Sequence, residues 1–124
     1  MEDRYLFKAK HFEKWHIGNI VKEPDGLYIR DKRKNVMAYI DDESTICQCT
    51  GLKDKNGKLI WENDIVVYRD CTEEKYVIAW EPNKCCFEYQ QYSCSIMNFD
   101  ELSGYEVEVI GNIFDNPELL ESEG

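Results

Sequence analysis

Short apolar runs alternate with polar, turn-forming segments along the whole chain. Successive side chains of a strand point to opposite faces, so short apolar runs bounded by Gly, Pro, Asn and Asp are typical of strands. The pattern predicts a mainly β fold of short antiparallel strands with very little helix, the one clear helix start being Asn116–Leu120. The predicted strands are Tyr5–Lys10, Trp15–Val21, Leu27–Ile29, Val36–Ile40, Leu59–Trp61, Ile65–Tyr68, Tyr76–Trp80, Cys85–Tyr89 and Tyr105–Phe114.

Two turns in the middle of the chain have a specific chemistry. Asn56 and Gly57 both tolerate φ > 0, which a tight reversal needs. Asn63 and Asp64 interrupt the next pair of apolar runs, and we expect Asp64 to fix that turn by accepting backbone N–H bonds. Elsewhere the pattern predicts a polar loop over residues 69–74 and a turn over residues 81–84. For residues 90–102 it allows two interpretations, one side of a barrel or a mobile loop.

The chain has 124 residues, 43% of them hydrophobic and 13% aromatic, which is enough for a packed core in one domain or in two small lobes. No apolar run approaches the ~20 residues that a membrane helix needs. Residues 1–5 lack the apolar stretch of a secretion signal. We therefore expect a cytoplasmic protein with no membrane partner and with its cysteines reduced.

The net charge of −10 is unevenly distributed. Residues 1–40 carry nine basic and six acidic side chains, whereas residues 41–124 carry six basic and nineteen acidic ones. The basic side chains Arg30, Lys32, Arg33 and Lys34 cluster in one predicted turn, which is read either as a contact for an acidic or phosphate-bearing partner or as a turn that only faces water.

The residues that could carry chemistry do not form a recognisable site. The six cysteines occur as Cys47-Gln-Cys49, as the adjacent Cys85-Cys86 and as two single residues, and neither pair has the spacing of a structural zinc site. His11 and His16 are expected at the surface, on opposite sides of one strand. With no nucleophile motif and no phosphate-binding glycine loop, we predict no enzyme activity, no cofactor, no metal and no small-molecule substrate. Tyr89 and Tyr92 are predicted as interface residues, because aromatic side chains concentrate at protein contacts.

Two long motifs resemble those of the YopX family of bacteriophage and prophage proteins. The first is Thr50–Lys58 followed by Ile60, Glu62 and Asp64–Val66, and the second is Val109–Leu120. Near the start, Phe7–Lys10, Trp15 and Gly18 fit the same family. Asn63 stands where the family usually has Gly, and Asn is the next-best residue at φ > 0. Cys47 and Cys49 also depart from the family pattern.

The resemblance implies a phage or prophage origin and an SH3-like barrel in the C-terminal part, and it brings no established activity and no catalytic residues. We expect a slightly basic N-terminal β lobe over residues 1–48, an acidic barrel lobe over residues 49–120 and a loose tail over residues 121–124.

Our first hypothesis is a non-catalytic interaction or assembly module that contacts a host protein or forms a homo-oligomer. The alternative is a nucleic-acid-associated module that uses Lys8, Lys10 and the basic turn. That alternative is opposed by the acidic balance of the molecule and rests on analogy with other SH3-like barrels.

Overall fold

The structure, a computed structural model, describes residues 6–68, 71–81, 86–90, 96–98 and 107–120. It confirms a mainly β, antiparallel fold, whose helical residues within these ranges are the 3₁₀ turns Glu43–Thr45 and Pro117–Leu120. The strands are β1 (Phe7–His11), β2 (Lys14–Glu23), β3 (Gly26–Asp31), β4 (Val36–Tyr39), β5 (Cys47–Lys53), β6 (Leu59–Trp61), β7 (Asp64–Tyr68), β8 (Cys71–Glu81), β9 (Cys86–Gln90), β10 (Ile96–Asn98) and β11 (Val107–Asn112).

The chain divides into two compact units, Met1–Gly51 and Leu52–Gly124, and the division falls within β5. In the first unit the strand order is β4-β3-β2-β1-β5. The long strand β2 serves two neighbours, because residues 14–18 pair with β1 and residues 19–23 pair with β3. The apolar faces of these strands enclose a core of Ala9, Ile29, Ala38 and Ile40, against which Ile20, Leu27 and Ile46 pack.

Gly18 occupies the point where β2 changes partner. A Cβ atom built at this position would lie 1.8 Å from the carbonyl oxygen of Arg30 and 3.3 Å from the Cα of Asp31. Both obstacles are backbone atoms of β3, so they cannot rotate away as a side chain would. The close approach of the two strands therefore requires glycine here.

In the second unit the sheet order is β10-β9-β8-β7-β11. Its core consists of the buried side chains Ile60, Val66, Tyr76, Ile78, Val107 and Val109, with Phe87 packed against them. Asn63 has φ 73°, its N–H donates to the carbonyl of Ile78, and its own carbonyl accepts from Ile113. The turn at Asn63 thus bonds to chain segments on both sides of β7. Next to it, the buried Asp64 carboxylate accepts the Trp61 N–H at 2.8 Å.

Asp54 organises the turn between β5 and β6. Its carboxylate, only 4% exposed, accepts the backbone N–H groups of Asn56, Lys58 and Val109, each at 2.9 Å. Gly57 has φ 83°, whereas Asn56 is not left-handed. The turn therefore contains one left-handed residue, Gly57, and the Asp54 carboxylate fixes the rest of its backbone by hydrogen bonds.

Several expectations need correction or lie outside the described residues. The structure does not confirm the SH3-like barrel, because neither sheet closes within the residues described. The polar loop predicted over residues 69–74 is wrong for residues 71–74, which begin β8; Cys71 pairs with Tyr68 of β7, and after an irregularity the pairing resumes at Lys75. Most of the turn at residues 81–84 lies outside the described ranges, as do Tyr92 and the tail. Within those ranges, no helix has the length and apolar character needed to cross a membrane.

Replacing Gly18 with Ala should destabilise the first unit by about 2–4 kcal/mol, because the added methyl group forces β2 and β3 apart. Urea unfolding followed by tryptophan fluorescence measures this loss. Asn19→Ala, an exposed neighbour on the same strand, is the control and should change the free energy of unfolding by less than about 0.5 kcal/mol. Equal stability of the two variants would contradict the packing described for Gly18.

Candidate interaction site

The turn between β3 and β4 is built on a buried charge. Asp31, the last residue of β3, is fully buried. Its Oδ1 accepts the backbone N–H groups of Arg33 at 3.1 Å and Lys34 at 3.2 Å. Its Oδ2 accepts the Ile17 N–H and the His16 Nδ1, both at 3.3 Å. The carboxylate thus joins its own turn to β2, and Asn35 completes the reversal with φ 56°.

The pKa of Asp31 reflects two opposing effects. Burial is the largest influence and raises the pKa, because it disfavours the charged form. The N–H groups of Lys34 and Ile17, the His16 ring and the Arg33 guanidinium oppose burial, and together they hold the pKa below its ordinary value. The carboxylate is therefore ionised at neutral pH and acts as a fixed negative centre under the basic turn.

The basic side chains of this turn point outward from that centre. Arg30, Lys32, Arg33 and Lys34 are all exposed. Arg33 remains 66% exposed although its Nε lies 3.9 Å from Asp31 Oδ1. Lys34 Nζ donates to the carbonyl of Trp15 at 3.1 Å, which ties the turn to the start of β2.

Trp15 links this turn to the other basic segment of the N-terminal unit. Lys8 Nζ lies 4.5 Å and Lys10 Nζ 5.1 Å from the centroid of the Trp15 ring, within the range of cation–π attraction. Because the carbonyl of the same residue accepts from Lys34, three lysines converge on Trp15. The nucleic-acid hypothesis groups Lys8, Lys10 and the basic turn, and the structure brings Lys8, Lys10 and Lys34 of that group together at Trp15.

Strand β4 adds an apolar strip to this basic surface. Val36, Met37 and Tyr39 are 44%, 41% and 42% exposed, which is unusual for three residues of a four-residue strand. Among the described strands, β4 pairs with β3 alone and forms the edge of its sheet. An open pocket of about 330 Å³ lies where the turn meets the strand, lined by Arg30, Asp31, Lys32, Asn35, Val36 and Met37.

Other residues singled out in the sequence belong to the second unit or lie outside the described residues. Tyr89 belongs to β9, where its backbone pairs with Ile78 and Met97, and its side chain is outside the described part. The turn residues Asn56, Gly57, Asn63 and Asp64 belong to the second unit, where they shape the chain reversals described above. The predicted interface role of Tyr89 and Tyr92 stays a prediction.

The expectation for the two histidines is wrong. They lie on neighbouring strands, with His16 opposite Ala9 and His11 two residues further along β1, so they share a face and their ring centroids are 6.4 Å apart. His16 is buried beside Asp31, while His11 Nδ1 donates to the carbonyl of Tyr39 at 2.8 Å. The prediction failed because it assumed one continuous strand where the chain makes a hairpin.

Cys47 and Cys49 are fully buried on one face of β5. Within the described residues, no three His, Cys, Asp or Glu side chains are grouped as metal ligands would be. The side chains of the other four cysteines lie outside the described part.

Asp31 is the residue that sequence reasoning missed. In the sequence Asp31 is only the first residue of the charged turn that contains Lys32–Lys34. Asp at the first position of a turn commonly accepts a hydrogen bond from the N–H two residues later. That signal predicts the Arg33 bond. It does not predict burial, which depends on Ile17 and His16 from another strand.

Replacing Asp31 with Asn should lower the free energy of unfolding by about 1.5–3 kcal/mol at neutral pH, because hydrogen bonds to a charged acceptor are lost. The folded-state pKa lies below the unfolded one, so the carboxylate stabilises the fold fully above the unfolded value. This contribution disappears as the pH falls through the folded value. Urea titrations at a series of pH values should therefore show wild type and variant converging in acid. Asp25→Asn, at an exposed position, is the control, and a constant gap for Asp31→Asn would contradict the assignment.

Comparison with known protein families identifies a relationship. The family model described as YopX protein matches residues 7–121, and no curated protein matches the chain. The matched range begins at the first residue of β1 and passes the last 3₁₀ turn, so it includes all eleven strands described here. Because the match covers nearly the whole sequence, this chain belongs to the YopX protein family.

Proposed function

We propose that this chain is a non-catalytic protein-interaction module, encoded by a phage or prophage and acting in the cytoplasm, that binds an acidic surface of a partner protein. One observation carries the proposal: a basic turn held by a buried carboxylate lies directly beside an exposed apolar edge strand in the first unit. The exposed side chains of the turn and of Val36, Met37 and Tyr39 lie outside the core of that unit, to which β4 contributes only Ala38.

Charge supports an acidic partner in spite of the net charge of −10. At physiological ionic strength the Debye length is about 8 Å, so a partner on the basic turn responds mainly to the nearest charges. Residues 6–40 carry eight basic and four acidic side chains, and one of those acids, Asp31, is buried among hydrogen-bond donors. The local field at the turn is therefore positive.

Composition supports a protein contact. Arg, Met and Tyr are enriched in the cores of protein interfaces, and Arg30, Met37 and Tyr39 lie exposed on adjacent strands. Arg30 is directly opposite Met37 in the register of β3 and β4, so the two side chains share one face of the sheet. A partner that covers this face removes apolar surface from water while it contacts the cationic rim.

The buried carboxylates support a non-catalytic role. Asp31, Asp54 and Asp64 each accept at least one backbone N–H, and each stands at a turn between strands. These bonds use the carboxylates as structural acceptors. Catalytic acids and bases, in contrast, must present their oxygens to a substrate.

Capture from a lysate of the organism that carries the gene should retain a partner protein on the immobilised chain, and Lys32→Glu should weaken that binding. Reversing one exposed charge at a rim is expected to cost about 1 kcal/mol, roughly fivefold in Kd, and the loss should shrink as salt is added. The identified partner is then purified and titrated against both proteins.

Lys58→Glu makes the same charge change at an exposed position of the second unit and serves as the control. Retention of a second copy of the chain would identify a homo-oligomer as the interaction. A monomer that retains nothing, or equal binding by both charge variants, would contradict the proposal.

A second candidate function is binding of single-stranded nucleic acid, and the cluster around Trp15 favours it. An aromatic ring flanked by two lysines is the arrangement on which bases stack while cations contact the phosphates. We rank this candidate second because Trp15 is half-buried and because the second unit, with six basic and sixteen acidic residues, repels a long strand.

Trp15→Leu should abolish binding of a labelled single-stranded oligonucleotide in a gel shift at low salt, since base stacking on an aromatic ring is worth about 1–3 kcal/mol. Phe12→Leu is the matched control, because Phe12 is an aromatic residue of the same unit that is 68% exposed and lies outside the lysine cluster. The absence of any shift with the wild-type chain, or equal loss in both variants, would reject the second candidate.

A further inference from the structure

We propose that the edge of β4 binds an extended acidic segment of a partner protein as an added antiparallel strand. This inference rests on the proposed protein-interaction function and gives it a mode and a partner chemistry. The added strand would lie along Val36–Tyr39, with its acidic residues next to the basic turn that precedes β4.

The hydrogen-bond pattern identifies which backbone groups of β4 face outward. The N–H of Ile40 donates to the carbonyl of Leu27 at 2.9 Å, so these residues form a hydrogen-bonded pair between β3 and β4. Such pairs alternate with non-bonded pairs along an antiparallel ladder. Ala38 therefore directs its backbone groups toward β3, whereas Met37 and Tyr39 direct theirs away from it.

The contact made by His11 agrees with this assignment. Its ring nitrogen donates to the carbonyl of Tyr39, which can be reached only if that carbonyl points away from β3. This bond closes one end of the edge. The groups that face outward beyond it are the N–H of Tyr39 and both the N–H and the carbonyl of Met37, and no other described strand pairs with them.

A strand added here would form a hydrogen-bonded pair with Met37. Its side chain at that position would lie beside the exposed Met37, on the face that Arg30 shares. The basic turn and the pocket of about 330 Å³ lie at the N-terminal end of β4. In an antiparallel strand this end is reached by the residues that follow the apolar one, so the expected segment is apolar first and acidic afterward.

The edge is short, and short edge strands are one way in which proteins avoid unwanted pairing. Three backbone groups alone give modest affinity, so charge must supply much of the binding. The exposed side chains of Arg30, Lys32 and Arg33 supply this charge at the turn. The inference therefore predicts a weak, salt-sensitive complex with selectivity for acidic segments.

A separate partner protein is favoured over a second copy of the chain. The outer edge of β11, a prominent strand of the acidic unit, is already occupied: Val109 N–H donates to Asp54, and the Val107 carbonyl accepts from Lys55. That edge cannot pair with β4 without losing these bonds.

The test uses fluorescence polarisation with a set of synthetic peptides, each a β-branched apolar stretch followed by Asp and Glu residues. At least one peptide should bind the wild-type chain, and Met37→Pro should weaken its binding at least about tenfold, equivalent to about 1.4 kcal/mol. Proline removes the outward N–H and leaves the bonds to β3, so it is compatible with an edge position. Lys32→Glu should also weaken binding, whereas Lys58→Glu should not.

A second measurement does not depend on the variant folding. In the wild-type chain the Met37 amide should exchange rapidly with solvent, and the bound peptide should slow this exchange. A peptide of the same sequence with N-methyl groups along its bonding edge should neither bind nor protect the amide. Failure of every peptide to bind, or binding without protection of Met37, would overturn the edge mode.

The two proposals can fail separately. If a partner protein is captured and its binding is unchanged by Met37→Pro, the interaction function stands and the added-strand mode is wrong. If the peptides bind but no partner is captured, the edge is confirmed and the proposed function is not.

Discussion

The burial of the Asp31 charge is the constraint on which the N-terminal unit and its surface depend. Removing a carboxylate from water costs several kcal/mol even in a relaxed protein, and a fold retains one only when donors surround it. Here the donors come from the turn itself and from β2. The basic turn is therefore not a loose loop tip. Its backbone is fixed by an interaction that would be lost if the turn moved away from β2.

The second unit uses the same device at the turn between β5 and β6. Asp54 bonds to its own turn and to Val109, fifty-five residues later in the chain, so it joins a local reversal to the edge of a sheet. In both units the buried carboxylate bonds its own turn to a second segment of the chain, which a turn residue that only faces water does not do. Exposed lysines flank Asp54 as well, so the difference lies in the edge strand β4, whose Val36, Met37 and Tyr39 are exposed directly after the basic turn of the first unit.

Much of the fold could be predicted from the sequence, because alternation and turn chemistry are local. The strand at Val36–Tyr39 follows from such rules. The left-handed Asn63 agrees with the family resemblance, in which Gly is usual at this position. The wrong predictions concern residues whose structure depends on contacts with distant parts of the chain. The segment that begins at Cys71 is polar, yet it belongs to β8, and Cys71 pairs with Tyr68 of β7. His16 is buried beside Asp31 of β3, and no local pattern in the sequence predicts this contact.

The candidate site was predictable only in part, for the same reason. The basic residues of the turn were visible as a charge cluster, while their connection to Lys8 and Lys10 depends on Trp15 and on the pairing of β1 with β2. The exposed edge at Met37 could not be foreseen, since an apolar strand reads as buried until its neighbours are known. The position of a strand within its sheet decides whether its apolar residues form core or surface.

The most direct test of this account is an NMR titration of the Asp31 side-chain carboxyl, recorded together with the exchange rates of the Arg33 and Lys34 amides. The account predicts a pKa below the ordinary value of an aspartate and slow exchange of both amides at neutral pH. A pKa at or above that ordinary value, with both amides exchanging at the rate of an open loop, would contradict it.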